Sequence, residues 1–221
     1  MKDSSPARSN RMILLLIGGI PVTMILTATW LWFFVVRGDL DLVGVLGTAN
    51  RGMLVQPPRQ LNELILRDET GAEVAFSDLE PRWAMVIPAA GGHCGESCEK
   101  TLYVTRQIHV AMGKEFNRLR RLYISDHSAQ DTQLAVSALS DGHPAPAANA
   151  FAKYLATEHR DLQGLTLSAL DYTKLFPEYG TDSSVWYLVD PAGWIMMSYN
   201  DQVPYKDVIA DLKFLLKNYG G

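Results

Sequence analysis

The sequence has little cysteine, no basic tract and no internal repeat. The only two cysteines among its 221 residues are Cys94 and Cys98, and chance would rarely place them so close together. The net charge of −4 gives no basis for nucleic-acid binding. Arg118, Arg120 and Arg121 form only a short cluster, which is typical of a solvated helix end. The chemistry of the chain is therefore concentrated at one pair of thiols.

Charge is absent from residues 12–36, a run of 25 residues rich in Leu, Ile and Val. A bilayer core requires about 20 apolar residues in a helix. A cleavable signal peptide has a shorter apolar region, of about 7–15 residues, and ends at small side chains. Here the outer end of the run carries Trp30, Trp32, Phe33 and Phe34, which suit a membrane–water interface. The run predicts an uncleaved transmembrane helix.

The charges beside this run predict its orientation. Lys2, Arg8 and Arg11 precede it, whereas Arg37 alone follows it. Because positive flanks stay cytoplasmic, we expect the N-terminus inside and the C-terminal domain in the periplasm of a bacterial cell, anchored in the inner membrane. The predicted organisation is a cytoplasmic N-terminus over 1–11, a transmembrane helix over 12–36, a tether over 37–60 and one domain over 61–221.

The domain shows strands that alternate with helices and end in a hairpin. The predicted strands are 63–67 and 73–76 as a first hairpin, then 82–87, 121–125 and 165–167, and then 185–189 and 194–199 as a last hairpin. The predicted helices follow the glycine-rich loop 89–94, span 147–159 and close the chain over 204–219, and 126–146 is a long polar excursion. This order predicts an α/β fold, a thioredoxin-like mixed central sheet flanked by helices.

Cys94 and Cys98 fall where a strand and a short loop lead into a helix N-terminus. The free N–H groups and the helix dipole at such an end favour a thiolate. The spacing of four residues brings the two sulfurs to neighbouring positions on a helical turn. They can close a structural disulfide, act as a redox pair, or hold a thiophilic ion such as Cu(I) together.

The stretch from His93 to Cys98 resembles the Cys-x-x-x-Cys motif of the Sco/SenC family, and residues 187–194 resemble the strand-turn-strand of that family. Sco proteins are membrane-anchored, thioredoxin-fold proteins that help to assemble the copper centre of cytochrome c oxidase. The resemblance covers most of residues 61–219 and implies that Cys94 and Cys98 are the copper-binding or redox thiols.

The chain departs from that family at two places. Glu99 stands where a proline usually follows the second cysteine. The histidine that serves as the third copper ligand of the family aligns with residues 181–183, which are Thr, Asp and Ser, and no histidine follows His159. His93, next to the motif, is the one histidine kept as a possible ligand. His127 and His143 lie in the long excursion and His109 and His159 on predicted helices, where a lone histidine is typically solvated. Met196 and Met197 offer soft thioethers, but adjacent strand positions typically divide between core and surface.

Three functions follow as hypotheses. The first is assistance in assembling the copper centre of a respiratory haem–copper oxidase, by thiol–disulfide exchange or transient Cu(I) binding at Cys94 and Cys98, with an oxidase subunit or another copper chaperone as partner. The missing histidine favours exchange or a weak Cu(I) site. The second is a non-catalytic interaction module with a structural disulfide. The third, a peroxide-reducing enzyme, lacks the motifs expected around its nucleophile.

Overall fold

The computed structural model describes residues 6–37 and 50–218, and the chain divides into two units, Met1–Ala49 and Asn50–Gly221. The first unit contains helix α1, Pro6–Arg37, which includes the predicted apolar helix at 12–36. Within the described residues, no helix combines the length and the apolar character needed to cross a membrane. The membrane span at 12–36 therefore stays a prediction, and residues 38–49 of the predicted tether lie outside the described residues.

The second unit is an α/β domain. Its strands are β1 Met53–Gln60, β2 Leu66–Arg67, β3 Glu73–Val74, β4 Trp83–Ala89, β5 His93–Cys94, β6 Leu119–Ser125, β7 Gln133–Leu134, β8 Leu162–Thr166, β9 Trp186–Val189 and β10 Trp194–Tyr199. Its α-helices are α2 Glu96–Ala111, α3 Phe151–Glu158, α4 Ala169–Leu175 and α5 Tyr205–Asn218.

The described strands form one large mixed sheet and one small one. The order of the large sheet is β1-β10-β9-β4-β6-β8-β2-β3, with β4, β6 and β8 parallel and the other pairs antiparallel. Strand β4 is buried along its whole length, as expected for a central strand that is covered on both faces. The small sheet pairs β5 with β7 in parallel.

Strand β1 corrects the predicted boundary of the tether. Residues 53–60, predicted as tether, pair with β10 as the edge strand of the large sheet. Pro57 and Pro58 resemble a linker in sequence, but an edge strand tolerates proline because one side of it needs no ladder partner. The domain therefore begins ahead of residue 61.

Alternate residues of β4 point to opposite layers. Ala84 and Val86 join an apolar cluster with β6, β9 and α4, whereas Trp83 and Met85 pack with residues of α2 and α5. A third cluster lies where β4 ends and contains both cysteines. The first two clusters pack on opposite faces of the sheet, and the third cluster surrounds the two cysteines.

Candidate functional site

The two cysteines lie where β4 passes through a glycine loop into α2. Gly91 and Gly92 have φ of +74° and +68°, which side-chain-bearing residues rarely adopt. The N–H of Gly91 donates to the Asp126 carboxylate at 3.0 Å, which ties this loop to the end of β6. Gly95 then caps α2, so the loop delivers Cys94 just ahead of the helix and Cys98 within its first turn. The predicted strand, loop and helix start are confirmed.

Cys94 and Cys98 form a disulfide with their Cα atoms 5.1 Å apart. The bond is buried, with Cys94 0% and Cys98 4% exposed. Oxidised, the pair is a disulfide shielded from bulk solvent. Reduced, it would place two soft sulfur ligands next to each other.

A polar excursion covers the disulfide, and we call residues 129–146 the cover segment. Its strand β7 pairs with β5, so that Leu134 lies opposite Cys94. The N–H of Gln133 donates to the Gly92 carbonyl at 2.9 Å, and the N–H of Ala135 donates to the Cys94 carbonyl at 2.8 Å. Leu134 packs in the apolar cluster that holds both cysteines. The excursion at 126–146 left undefined by the sequence is therefore an ordered cover.

Glu99, which follows Cys98, is buried and hydrogen-bonded rather than solvated. It is 3% exposed. Its carboxylate accepts the N–H of Ser140 at 3.1 Å to each oxygen, the hydroxyl of Ser140, and the hydroxyl of Tyr154 at 3.3 Å. Burial, and then Glu99 itself, raise the pKa of Tyr154, so the phenol stays a donor. Glu99, which stands where the Sco/SenC family usually has proline, thus connects α2 with the cover segment and α3.

A hydrogen-bonded chain continues from Tyr154 into the core. His159 Nε2 lies 3.1 Å from the Tyr154 hydroxyl, and His159 Nδ1 lies 3.3 Å from Arg121 Nη2. Since the guanidinium can only donate, Nδ1 accepts and Nε2 carries the proton. Burial, and then the positive charge of Arg121, lower the pKa of His159 to about 3. The ring is therefore neutral at pH 7.

Arg121 lies at the centre of this network and is 0% exposed. Its Nη2 donates to the Leu102 carbonyl at 2.8 Å, and its Nη1 lies 3.5 Å from the Asp161 carboxylate. The hydrogen bond from His109 Nδ1, at 2.8 Å, and the charge of Arg121 lower the pKa of Asp161. The prediction of a solvated helix end at 118–121 is wrong for Arg121. That residue lies in β6, and its charge is balanced by a buried network.

The histidines and methionines considered as substitute ligands differ in their exposure. His93 is exposed on β5, and His127 and His143 are exposed as well. Met196 is 38% exposed and Met197 only 1%, so the pair divides between surface and core as expected for adjacent strand positions. Among the residues that the structure describes, no group of three or more His, Cys, Asp or Glu side chains could hold a metal ion.

The position of the missing family histidine has a structural use of its own. Asp182 accepts the Ser184 N–H at 2.9 Å and the Asn200 side-chain amide at 3.0 Å. The hydrogen bonds from Ser184 lower the pKa of Asp182. This carboxylate is thus engaged in shaping the turn before β9.

Sequence reasoning missed the network of Arg121, His159 and Asp161. The available signal was an arginine inside a strand that is otherwise apolar, at residues 121–125. A charged residue in a strand covered on both faces must be paired. The pairing partners lie about 40 residues further along the chain, and pattern alone does not connect them.

Comparison with known proteins places this geometry in a family. Residues 83–142 and 143–218 match the family model described as "Transmembrane-like, thioredoxin-like, C-terminal domain". The match covers more than half of the chain, and the protein therefore belongs to this family. No curated protein matches the sequence.

Solved structures of Sco proteins share the fold. Yeast Sco1 is 17% identical with a TM-score of 0.53, over 78% of this chain and 99% of that one. Copper-bound yeast Sco1 is 18% identical with a TM-score of 0.51, over 77% and 95%. Copper-bound ScoI of Arabidopsis thaliana is 15% identical with a TM-score of 0.50, over 71% and 97%. The predicted thioredoxin-like fold and the resemblance to Sco proteins are confirmed at the level of the fold.

Proposed function

We propose that this protein is a membrane-anchored periplasmic thiol protein that assists assembly of the copper centre of a respiratory haem–copper oxidase. The observation that carries the proposal is the disulfide between Cys94 and Cys98, the only cysteines of the chain, placed where a thioredoxin-like strand leads into a helix N-terminus. The likeness to the copper-bound Sco structures supports the pathway. The partner would be an oxidase subunit or another copper chaperone.

The reaction that suits these residues is thiol–disulfide exchange. The thiolate of a partner dithiol attacks one sulfur of the Cys94–Cys98 bond, and the other cysteine leaves as a thiolate. The second partner thiol then breaks the mixed disulfide, so that two electrons pass to this protein and the partner leaves oxidised. Run in reverse, reduced Cys94 and Cys98 reduce a partner disulfide. The helix N-terminus stabilises the thiolate in either direction.

Copper would be cargo rather than a resident cofactor. Two adjacent thiolates match Cu(I), which prefers soft sulfur ligands. Among the described residues, no third His, Cys, Asp or Glu side chain forms a three-ligand group with the pair. His93 precedes Cys94 directly but is exposed on β5, and residues 181–183 include no histidine. The donor set therefore fits transient two-sulfur Cu(I) binding and does not fit a Cu(II) site.

The membrane anchor is supported by α1. Its apolar side chains are largely exposed within this chain, among them Leu15, Met24 and Trp32. The flanking positive charges at 2–11 favour a cytoplasmic N-terminus. Fusion of alkaline phosphatase to the C-terminus tests the topology. Periplasmic activity is expected, and an inactive fusion protein would contradict the proposal.

One observation favours a second function, an interaction module with a structural disulfide. The disulfide is buried beneath the cover segment, as a purely structural bond would be.

Experiments on the full-length protein in detergent distinguish the redox function from the interaction module. A redox protein exchanges with a dithiol partner and, when reduced, retains up to one Cu(I) per chain in a Cys94- and Cys98-dependent manner. Ser97→Ala, between the cysteines, is the matched control. An inert disulfide would support the module.

A further inference from the structure

The structure assigns the cover segment, residues 129–146, as a lid that gates the disulfide, and Glu99 as the latch that holds it shut. The geometry of this lid is independent of the proposed function, but its purpose rests on that function. A partner thiolate must approach a sulfur along the S–S axis, and both sulfurs are buried. Exchange in the proposed function therefore requires the cover segment to move.

The cover segment is attached weakly enough to move by itself. Within the part of the chain that the structure describes, backbone pairing joins it to the site only through residues 133–135, at β5. The outer part of the cover segment, residues 135–144, folds back as a turn at Gly142, where the Leu139 N–H donates to the His143 carbonyl at 2.8 Å. Most side chains of residues 135–144 are at least partly exposed. Local opening is cheapest where few apolar contacts and few hydrogen bonds must break.

The outer part borders a groove that is open to solvent. This groove of about 600 Å³ is lined by Leu139 and Pro144 of the cover segment and by Lys153 and Tyr154 of α3. Val136, Leu139 and Ala145 pack at the edge of the cluster that holds both cysteines but stay partly exposed, so the outer part is held by a few edge contacts and by the hydrogen bonds of Ser140.

Glu99 supplies the strongest of those contacts. It is the only buried carboxylate that the described residues place against the cover segment, and it receives both the N–H and the hydroxyl of Ser140. Hydrogen bonds to an ionised group are roughly twice as strong as neutral ones. Glu99 follows Cys98 directly, so the latch sits on the same helical turn as the thiol that it shields.

Releasing this latch leaves little unsatisfied. Ser140 is exposed, so water replaces Glu99 as its partner when the segment lifts. Tyr154 keeps its contact with His159 at 3.1 Å, which anchors Glu99 on the core side in either state. Because Glu99 loses Ser140 but keeps Tyr154, the lid opens while the domain beneath it stays folded.

The test measures how fast the disulfide of the full-length protein in detergent is reduced by dithiothreitol. Glu99→Ala removes the latch, Glu99→Gln keeps an oxygen for Ser140, and Glu96→Ala, an exposed glutamate in the same first turn, is the matched control. We expect Glu99→Ala to be reduced about tenfold faster or more. Glu99→Gln should be reduced at a rate between those of the wild type and Glu99→Ala, because it keeps one oxygen for Ser140 but loses the charge, and Glu96→Ala should stay close to the wild-type rate. Hydrogen exchange should rise in residues 135–142 and stay unchanged in β4 and β6.

Two results would overturn the latch: a wild-type rate in Glu99→Ala, or a faster rate with equal loss of protection in β4. The proposed function fails separately. If Glu99→Ala is reduced faster by dithiothreitol but shows no exchange with protein dithiols, the latch is supported and the redox function is wrong. If the wild-type protein exchanges freely with protein dithiols at the variant's rate, the function stands and the latch is wrong.

Discussion

The backbone N–H of Ala135 donates a 2.8 Å hydrogen bond to the carbonyl oxygen of Cys94. Together with the pairing of Leu134 opposite Cys94, this contact forms a small two-stranded sheet that is separate from the main sheet. The small sheet lies next to the disulfide. The chain between β6 and α3 thus covers the thiols instead of leaving them open at the end of the main sheet. Access to the pair becomes a property of that segment.

Replacing both cysteines by serine should lower stability without preventing folding. A disulfide between cysteines four apart in the sequence closes only a short loop, so Cys94→Ser with Cys98→Ser should lower the free energy of unfolding by about 2 kcal/mol through the lost cross-link. Urea unfolding followed by tryptophan fluorescence measures the change. Wild-type protein kept reduced is the control for the lost cross-link alone and should be more stable than the double variant, because a buried serine hydroxyl costs more than a buried thiol. Loss of folding in the variant would instead identify a structural disulfide.

Removing the buried guanidinium of Arg121 should lower the free energy of unfolding more than removing the disulfide does. Arg121→Met leaves Asp161 without its charge partner and the Leu102 carbonyl without its donor, so we expect a loss of about 3 kcal/mol in the free energy of unfolding. Arg118→Met, which breaks the more exposed pair with Glu115, should cost less than about 1 kcal/mol. Equal losses in the two variants would contradict the assignment of Arg121 to the core network.

Stability should fall as the pH drops below 6.5. The pKa of His159 is about 3 in the folded protein, against 6.5 when unfolded, so the unfolded chain binds more protons between these values. The stabilisation is fully present above pH 6.5 and is lost progressively toward pH 3. Between pH 7 and pH 5 we expect a loss of about 1–2 kcal/mol from this residue.

Unfolding curves at both pH values measure this loss. His159→Gln should remove that part of the pH dependence, whereas His127→Gln, at an exposed histidine, should retain it. An unchanged pH dependence in His159→Gln would show that the ring is not held neutral in the folded state.

The regular elements of the domain are predictable from sequence because each carries its own local pattern. The apolar run at 82–87 and the glycine loop after it correspond to β4 and the approach to Cys94. Helix α4 was missed although its start is signalled: Ser168 caps it by accepting the Asp171 N–H at 3.1 Å, a serine and an acid three residues apart.

Features that depend on distant residues are not predictable in this way. Strand β1 exists because β10 offers an edge about 140 residues further on, while its own prolines resemble a linker. The partners of Glu99 are Ser140 and Tyr154, which only the folded chain brings to the first turn of α2. The position of the thiols was visible in the sequence, and their cover was not.

The central claim is that Cys94 and Cys98 are a reactive redox pair, and their reduction potential tests it most directly. Full-length protein in detergent is equilibrated with glutathione and dithiol buffers, and its oxidised fraction is measured after thiol alkylation. The redox function predicts a potential between about −120 and −270 mV, the range of exchange proteins. A potential below about −300 mV, typical of inert structural disulfides, would contradict it.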